Sequence, residues 1–191
     1  MKTAVVLLFV LIGYGAFAQQ TTPPPAADVV MKEAYAKAKA EHKNVILMFH
    51  ASWCGWCKKM TACIEDPTCS KFFDDNYVVT YLDILERGDK KSLENPGAMD
   101  VLKNFNGDPE GGIPYWVLIT PKGKVIGTSY MPHADGTPGT AKDNVGCPAE
   151  DNEVAYFTDL LKKSSKLTDD DLGVIATRFH KNKSVSTSTW K

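Results

Sequence analysis

The chain is 191 residues long, 43% hydrophobic and 24% charged, with a formal net charge of −1. About one domain fits that length, and the apolar share supplies a core, which excludes disorder across the whole chain. The near-neutral balance excludes a broadly basic nucleic-acid surface, so no nucleic-acid partner is expected.

The chain opens on Met1-Lys2, an apolar run from Ala4 to Ile12 and Ala16-Phe17-Ala18. This predicts a signal peptide over 1–18, cut between Ala18 and Gln19. The run is short for a membrane helix, which needs about 20 apolar residues. The expected product is exported, periplasmic or extracellular, with no stable membrane insertion after cleavage. There, no glutathione pool keeps thiols reduced.

Residues 19–27, beginning QQTTPPP, read as a proline-rich linker. A helix is predicted over 28–41, with Val30, Met31, Ala34, Tyr35 and Ala38 on one face. The apolar run 45–49 reads as a strand buried on both faces. Residues 53–65 read as a loop and then a helix, and 68–75 as a short helical piece. The β-branched and aromatic run 77–82 is a strand. A charged loop covers 84–95. A short helix over 96–105 is expected, with Asn95 as cap and Pro96 at its first position. A glycine-rich loop at 106–112 leads into a strand at 115–119. The turn at Pro121-Lys122-Gly123 makes 124–128 the return strand of a hairpin. A long loop over 131–149 precedes a helix at 151–163, with Val154, Phe157, Leu160 and Leu161 inward. Thr168 caps a last helix running to about His180, with Asp171 at the capping-box position. The expected organisation is a domain over 28–163, a C-terminal helical extension over 164–183 and a polar tail over 184–191. The alternation of strands and helices with a closing hairpin predicts an α/β fold: a central mixed sheet flanked by helices.

The chemistry concentrates at Trp53-Cys54-Gly55-Trp56-Cys57, between an apolar strand and a helix. Cys54 falls at the helix N-terminus, where unpaired N–H groups and the helix dipole favour an anion and lower a thiol's pKa. Cys57 lies about one turn on, within reach of the first sulfur. Cys54 can attack a disulfide to form a mixed disulfide, and Cys57 can then release the product. Gly112-Ile113-Pro114 precedes the strand at 115–119. A cis Ile113–Pro114 bond would turn the chain sharply and let Ile113 pair with an extended substrate segment.

The Trp-Cys-Gly-Trp-Cys motif after an apolar strand, with Gly112-Ile113-Pro114 further on and a Lys122-Gly123-Lys124 turn, resembles the thioredoxin family. Among its members the chain is most similar to exported thioredoxin-like proteins such as periplasmic disulfide reductase domains. The resemblance covers roughly 28–163 and implies a thioredoxin-like fold. It implies Cys54 as nucleophile, Cys57 as resolving thiol and Pro114 as the cis-proline, with Trp53, Gly55, Trp56 and Ile113 around the substrate. It also implies that exported protein thiols or disulfides are the partners, and that a membrane electron-donor protein re-reduces the pair. The cysteine pair carries the electrons, so no bound cofactor and no metal are expected.

Two positions depart from the family pattern. Met48 stands where thioredoxins usually have a buried Asp that helps deprotonate the resolving thiol. His50 is the nearest titratable substitute. Trp56 replaces the common proline between the cysteines.

Three alternatives remain open. The direction can be oxidase or isomerase rather than reductase. The fold can be a non-catalytic binding module with a structural Cys54–Cys57 disulfide. CxxC can also hold zinc, although Cys63 and Cys69 do not supply the second closely spaced pair that such sites use. Cys63 and Cys69 form either a disulfide or two buried thiols, and the pairing of Cys147 is equally open.

Overall fold

The computed structural model describes residues 23–183. The expected signal peptide, residues 19–22 of the linker and the polar tail lie outside the described residues. The elements, in chain order, are α1 (Ala27–Glu41), β1 (Asn44–His50), α2 (Gly55–Ile64), α3 (Ser70–Asn76), β2 (Tyr77–Asp83), α4 (Ala98–Asn104), β3 (Tyr115–Ile119), β4 (Val125–Thr128), α5 (Asp151–Ser164) and α6 (Asp169–His180). Short 3-10 turns interrupt the connecting loops at Gly88–Leu93, Pro109–Gly111 and Ala141–Asp143. The sheet order is β2-β1-β3-β4. β1 runs parallel to β2 and antiparallel to β3, and β3 and β4 form the hairpin.

The unbroken apolar runs of β1 and β3 follow from burial on both faces. Side chains alternate across a strand, so each run feeds two cores. Ile46, Met48, Trp116 and Leu118 face a cluster built with Met60 and Cys63 of α2, Phe73 of α3, Phe157 of α5 and Ile175 and Phe179 of α6. Val45, Leu47, Phe49, Tyr115, Val117 and Ile119 face the other way, onto Met31, Ala34 and Ala38 of α1 and Ala98 and Leu102 of α4. The small residues of α1 let it lie close to the sheet. At Gly127 of β4, a Cβ would come within 2.7 Å of the Leu160 side chain, so α5 packs closely against the strand there.

The helix expected over 96–105 differs at its start. It begins at Ala98, with Gly97 in the left-handed region (φ 81) as its cap. Asn95 has other work: its Oδ1 accepts from the Asp83 N–H and its Nδ2 donates to the Pro25 carbonyl. It ties the end of β2 to the chain entering α1. The α6 start follows its sequence signal, with Thr168 and Asp171 forming the capping box.

Candidate active site

The site grows from the C-terminal end of β1. The strand ends at His50, the chain turns through Ala51 to Trp53, and α2 begins at Gly55 with Cys54 as its N-cap. The Cys57 N–H donates to Cys54 Sγ at 3.0 Å. This is the position where a helix offers unpaired donors to an anion, so negative charge developing on Cys54 meets a backbone dipole. Cys54 and Cys57 are joined as a disulfide. Both are buried, Cys54 at 3% and Cys57 at 1% exposure, while Trp53 and Trp56 on either side are exposed.

Opposite the disulfide lies the loop before β3. The Ile113–Pro114 peptide is cis, and Cys54 Sγ lies 3.4 Å from the Ile113 carbonyl oxygen. Ile113 packs directly on Ala51, Cys54 and Cys57. A cleft of about 370 Å³ runs beside this point, lined by Trp56, Ile113, Pro114, Asn144 and Cys147 among others. Of the substrate-contact residues expected from the sequence, Trp56, Ile113 and Pro114 are brought together there. Trp53 turns the other way. Its Nε1 donates to the Leu85 carbonyl at 2.7 Å, and the Arg87 guanidinium stacks 3.7 Å from its ring. Gly55 opens α2 with nothing within 4 Å of where a Cβ would stand. Lys59 sits over the Trp56 ring at 4.0 Å.

Three residues shape the site without a sequence signal. Glu86 is 2% exposed and accepts from both the N–H and the hydroxyl of Ser52. This fixes the turn before Cys54 from a loop 34 residues away. Asn144 gathers the cis-proline loop: its Nδ2 donates to the carbonyls of Gly111 and Gly112 at 3.0 Å and reaches that of Pro114 at 3.4 Å. Its Oδ1 accepts from the Gly146 N–H. Tyr130 supports the same loop, with its hydroxyl accepting from the Asp108 N–H.

Met48 is wholly buried in the α2-side core and brings no proton acceptor. His50, two residues on, has the same strand parity and so faces the same side of the sheet. Its Nε2 lies 3.2 Å from Asp83 Oδ1, its register partner on β2, and its ring packs on Tyr81. His50 and Cys57 line one cleft of about 350 Å³, together with Ser52, Lys58, Thr61 and Glu65. Burial holds the His50 pKa below its usual value, against the opposing pull of Asp83 and Glu86.

Cys63, Cys69 and Cys147 are free thiols, all buried. The Cys63–Cys69 bridge considered from sequence is therefore not formed. Among the described residues, no group of three or more His, Cys, Asp or Glu is placed to hold a metal ion.

With this geometry in hand, comparison with known proteins adds the following. A family model described as Thioredox_DsbH, protein of unknown function, DUF255, matches residues 17–145. A protein disulfide-isomerase of Hordeum vulgare is 26% identical over 102 residues, 53% of this chain and 17% of that protein. One of Zea mays is 32% identical over 88 residues, 46% of this chain and 14% of that protein. The chain thus spans less than a fifth of the length of these curated relatives. Among solved structures, a disulphide isomerase from Xylella fastidiosa Temecula1 aligns with a TM-score of 0.48 at 20% identity, covering 88% of this chain and 95% of that one.

Proposed function

The chain belongs to the thioredoxin-like family that the Thioredox_DsbH model describes, and from that premise we propose that it is an exported thiol–disulfide oxidoreductase acting on exported proteins. The observation that carries the reading is the placement of Cys54. Its sulfur caps α2, receives the Cys57 N–H and faces the Ile113 carbonyl beside a cis-proline. A binding module has no need of a sulfur that caps a helix N-terminus and accepts a backbone N–H there.

The reaction in the reducing direction starts from the dithiol form. Cys54, as thiolate, attacks one sulfur of a substrate disulfide, and the other substrate sulfur leaves as a thiol. Cys57 then loses its proton, attacks Cys54 and expels the second substrate thiol, leaving the Cys54–Cys57 disulfide. Two electrons move from the pair to the substrate, and no bound cofactor takes part. The Ile113 backbone and Trp56 line the place where an extended substrate segment docks. A membrane electron-donor protein then returns two electrons to the pair.

The second step needs a base, and His50 is placed to be it. Its Nε2 lies 3.2 Å from Asp83 Oδ1, and burial favours the neutral imidazole. That imidazole, in the cleft it shares with Cys57, accepts the thiol proton.

Turnover of a peptide disulfide by the full chain tests this reading. Cys54→Ser is expected to abolish turnover, and Cys57→Ser to retain substrate as a mixed disulfide on Cys54. Unchanged turnover in Cys54→Ser would overturn Cys54 as the nucleophile, and no turnover by the native chain would favour the binding-module reading. The direction is decided by the reduction potential of the pair. A value near about −270 mV supports reduction, and one near about −120 mV makes the protein an oxidant.

A further inference from the structure

The three cysteines outside the active pair are not equivalent. Cys63 stands on the last turn of α2 with no exposed surface, and Cys147 stands in the segment leading to α5. They meet beneath the end of α6. Asn182 Nδ2 donates to Cys63 Sγ at 3.2 Å and to Cys147 Sγ at 3.3 Å, so one amide group spans both sulfurs. Arg178 Nη1 donates to Cys63 Sγ at 3.1 Å. Cys69, by contrast, contacts the Thr68 hydroxyl, and burial pushes its thiol up.

The donors make the pair asymmetric. The neighbouring Cys147 sulfur first, then donation by Asn182 and the Arg178 charge, draw Cys63 down to about 7 against the cost of burial. The Cys63 sulfur and burial push Cys147 up. Cys63 Sγ in turn donates to Asn182 Oδ1 at 3.6 Å. Cys147 is also among the residues lining the cleft beside Trp56 and Pro114.

We propose that Cys63 and Cys147 are a second dithiol–disulfide couple, oxidised by a low-molecular-weight disulfide that enters by the cleft, with glutathione disulfide as its probe. Cys147 gives its proton to solvent, and its sulfur attacks one sulfur of the reagent. This forms a mixed disulfide and releases one thiolate, which takes up a proton. Cys63 then loses its proton, attacks the Cys147 sulfur and expels the second thiolate, which takes up that proton. The two cysteines lose two electrons and two hydrogens, and glutathione disulfide gains both as two thiols. The bond closes a loop that contains β2, β3 and β4, tying α2 to the segment entering α5 and restricting the unfolded chain.

The test uses the full chain carrying Cys54→Ser and Cys57→Ser, so its outcome is independent of the role of Cys54. The protein is equilibrated with glutathione and glutathione disulfide, quenched with acid, alkylated and mapped by mass. A linked Cys63–Cys147 peptide two hydrogens lighter than the dithiol is expected, with Cys69 alkylated only after denaturation. The oxidised form should also melt several degrees higher. In a Cys63→Ala background, Cys147 should stop at the glutathione adduct. Two free thiols at the most oxidising ratio would overturn the proposal. So would a Cys63–Cys69 link, or a persistent adduct when Cys63 is present.

Discussion

At the scale of single residues, the chemistry rests on where protons sit. His50 is neutral over most of the working range because burial disfavours its charged form. A base held below the ordinary histidine value of about 6.5 stays available until the pH falls beneath that value. The release step in the native chain is therefore expected to be level near neutrality and to slow only on the acid side. His50→Gln should slow release about 100-fold, the low end for general base catalysis, and remove that acid-side dependence. Attack by Cys54 should be unchanged, as read from mixed-disulfide formation in a Cys57→Ser background. Asp83→Asn should give a smaller loss of the same kind, because it removes the carboxylate beside His50 Nε2. The two redox cysteines were legible from sequence because both lie on one turn of one helix. Glu86 and Asn144 were not, because they act across 34 and about 30 residues through loops whose path no local pattern encodes.

At the scale of elements, two loop-to-element ties carry expectations. Asn144 holds the cis-proline loop by its carbonyls. Asn144→Ala leaves these without their donor, a loss of about 1–3 kcal/mol in a partly buried setting. KM for a peptide disulfide should rise several-fold, with kcat changed less, since the cysteines keep their helix. The second tie joins α6 to the α2–α3 connection through Arg178 and Asp66. Thr68 donors first, and then Arg178, hold the Asp66 carboxyl at about 2, against 3.8 for a free one. Its folded pKa lies below its unfolded one, so its stabilising effect is full above pH ~4 and is lost as the pH falls through about 2. Asp66→Asn should lower the melting temperature at neutral pH and flatten the acid side of the stability curve in that window. The boundaries of α5 and α6 were readable because capping boxes and 3.6-residue periodicity are local. Asn95 was misread as a cap for the opposite reason: a cap-type side chain also satisfies distant backbone groups when the fold brings them near.

At the scale of the whole molecule, one sheet is covered on both sides, and α6 completes one of the covers. Phe179 is wholly buried and packs on Phe157 at a centroid separation of 5.1 Å. Phe179→Ala is expected to cost about 3–5 kcal/mol, measured by denaturant unfolding of the full chain. A near-neutral result would show that α6 is not part of the cooperative core. The sequence by itself determined the element order, the mixed sheet with both faces covered and the Cys54–Cys57 pair. Each of these rests on spacing and hydrophobic period along the chain, and α2 delivers both cysteines to one end of β1. Only the tertiary structure decided which side of the sheet His50 shares with Cys57, that Trp53 turns onto the 85–87 loop, and that Cys63 meets Cys147 rather than Cys69. Those are contacts between segments far apart in sequence, set by how the two cores close.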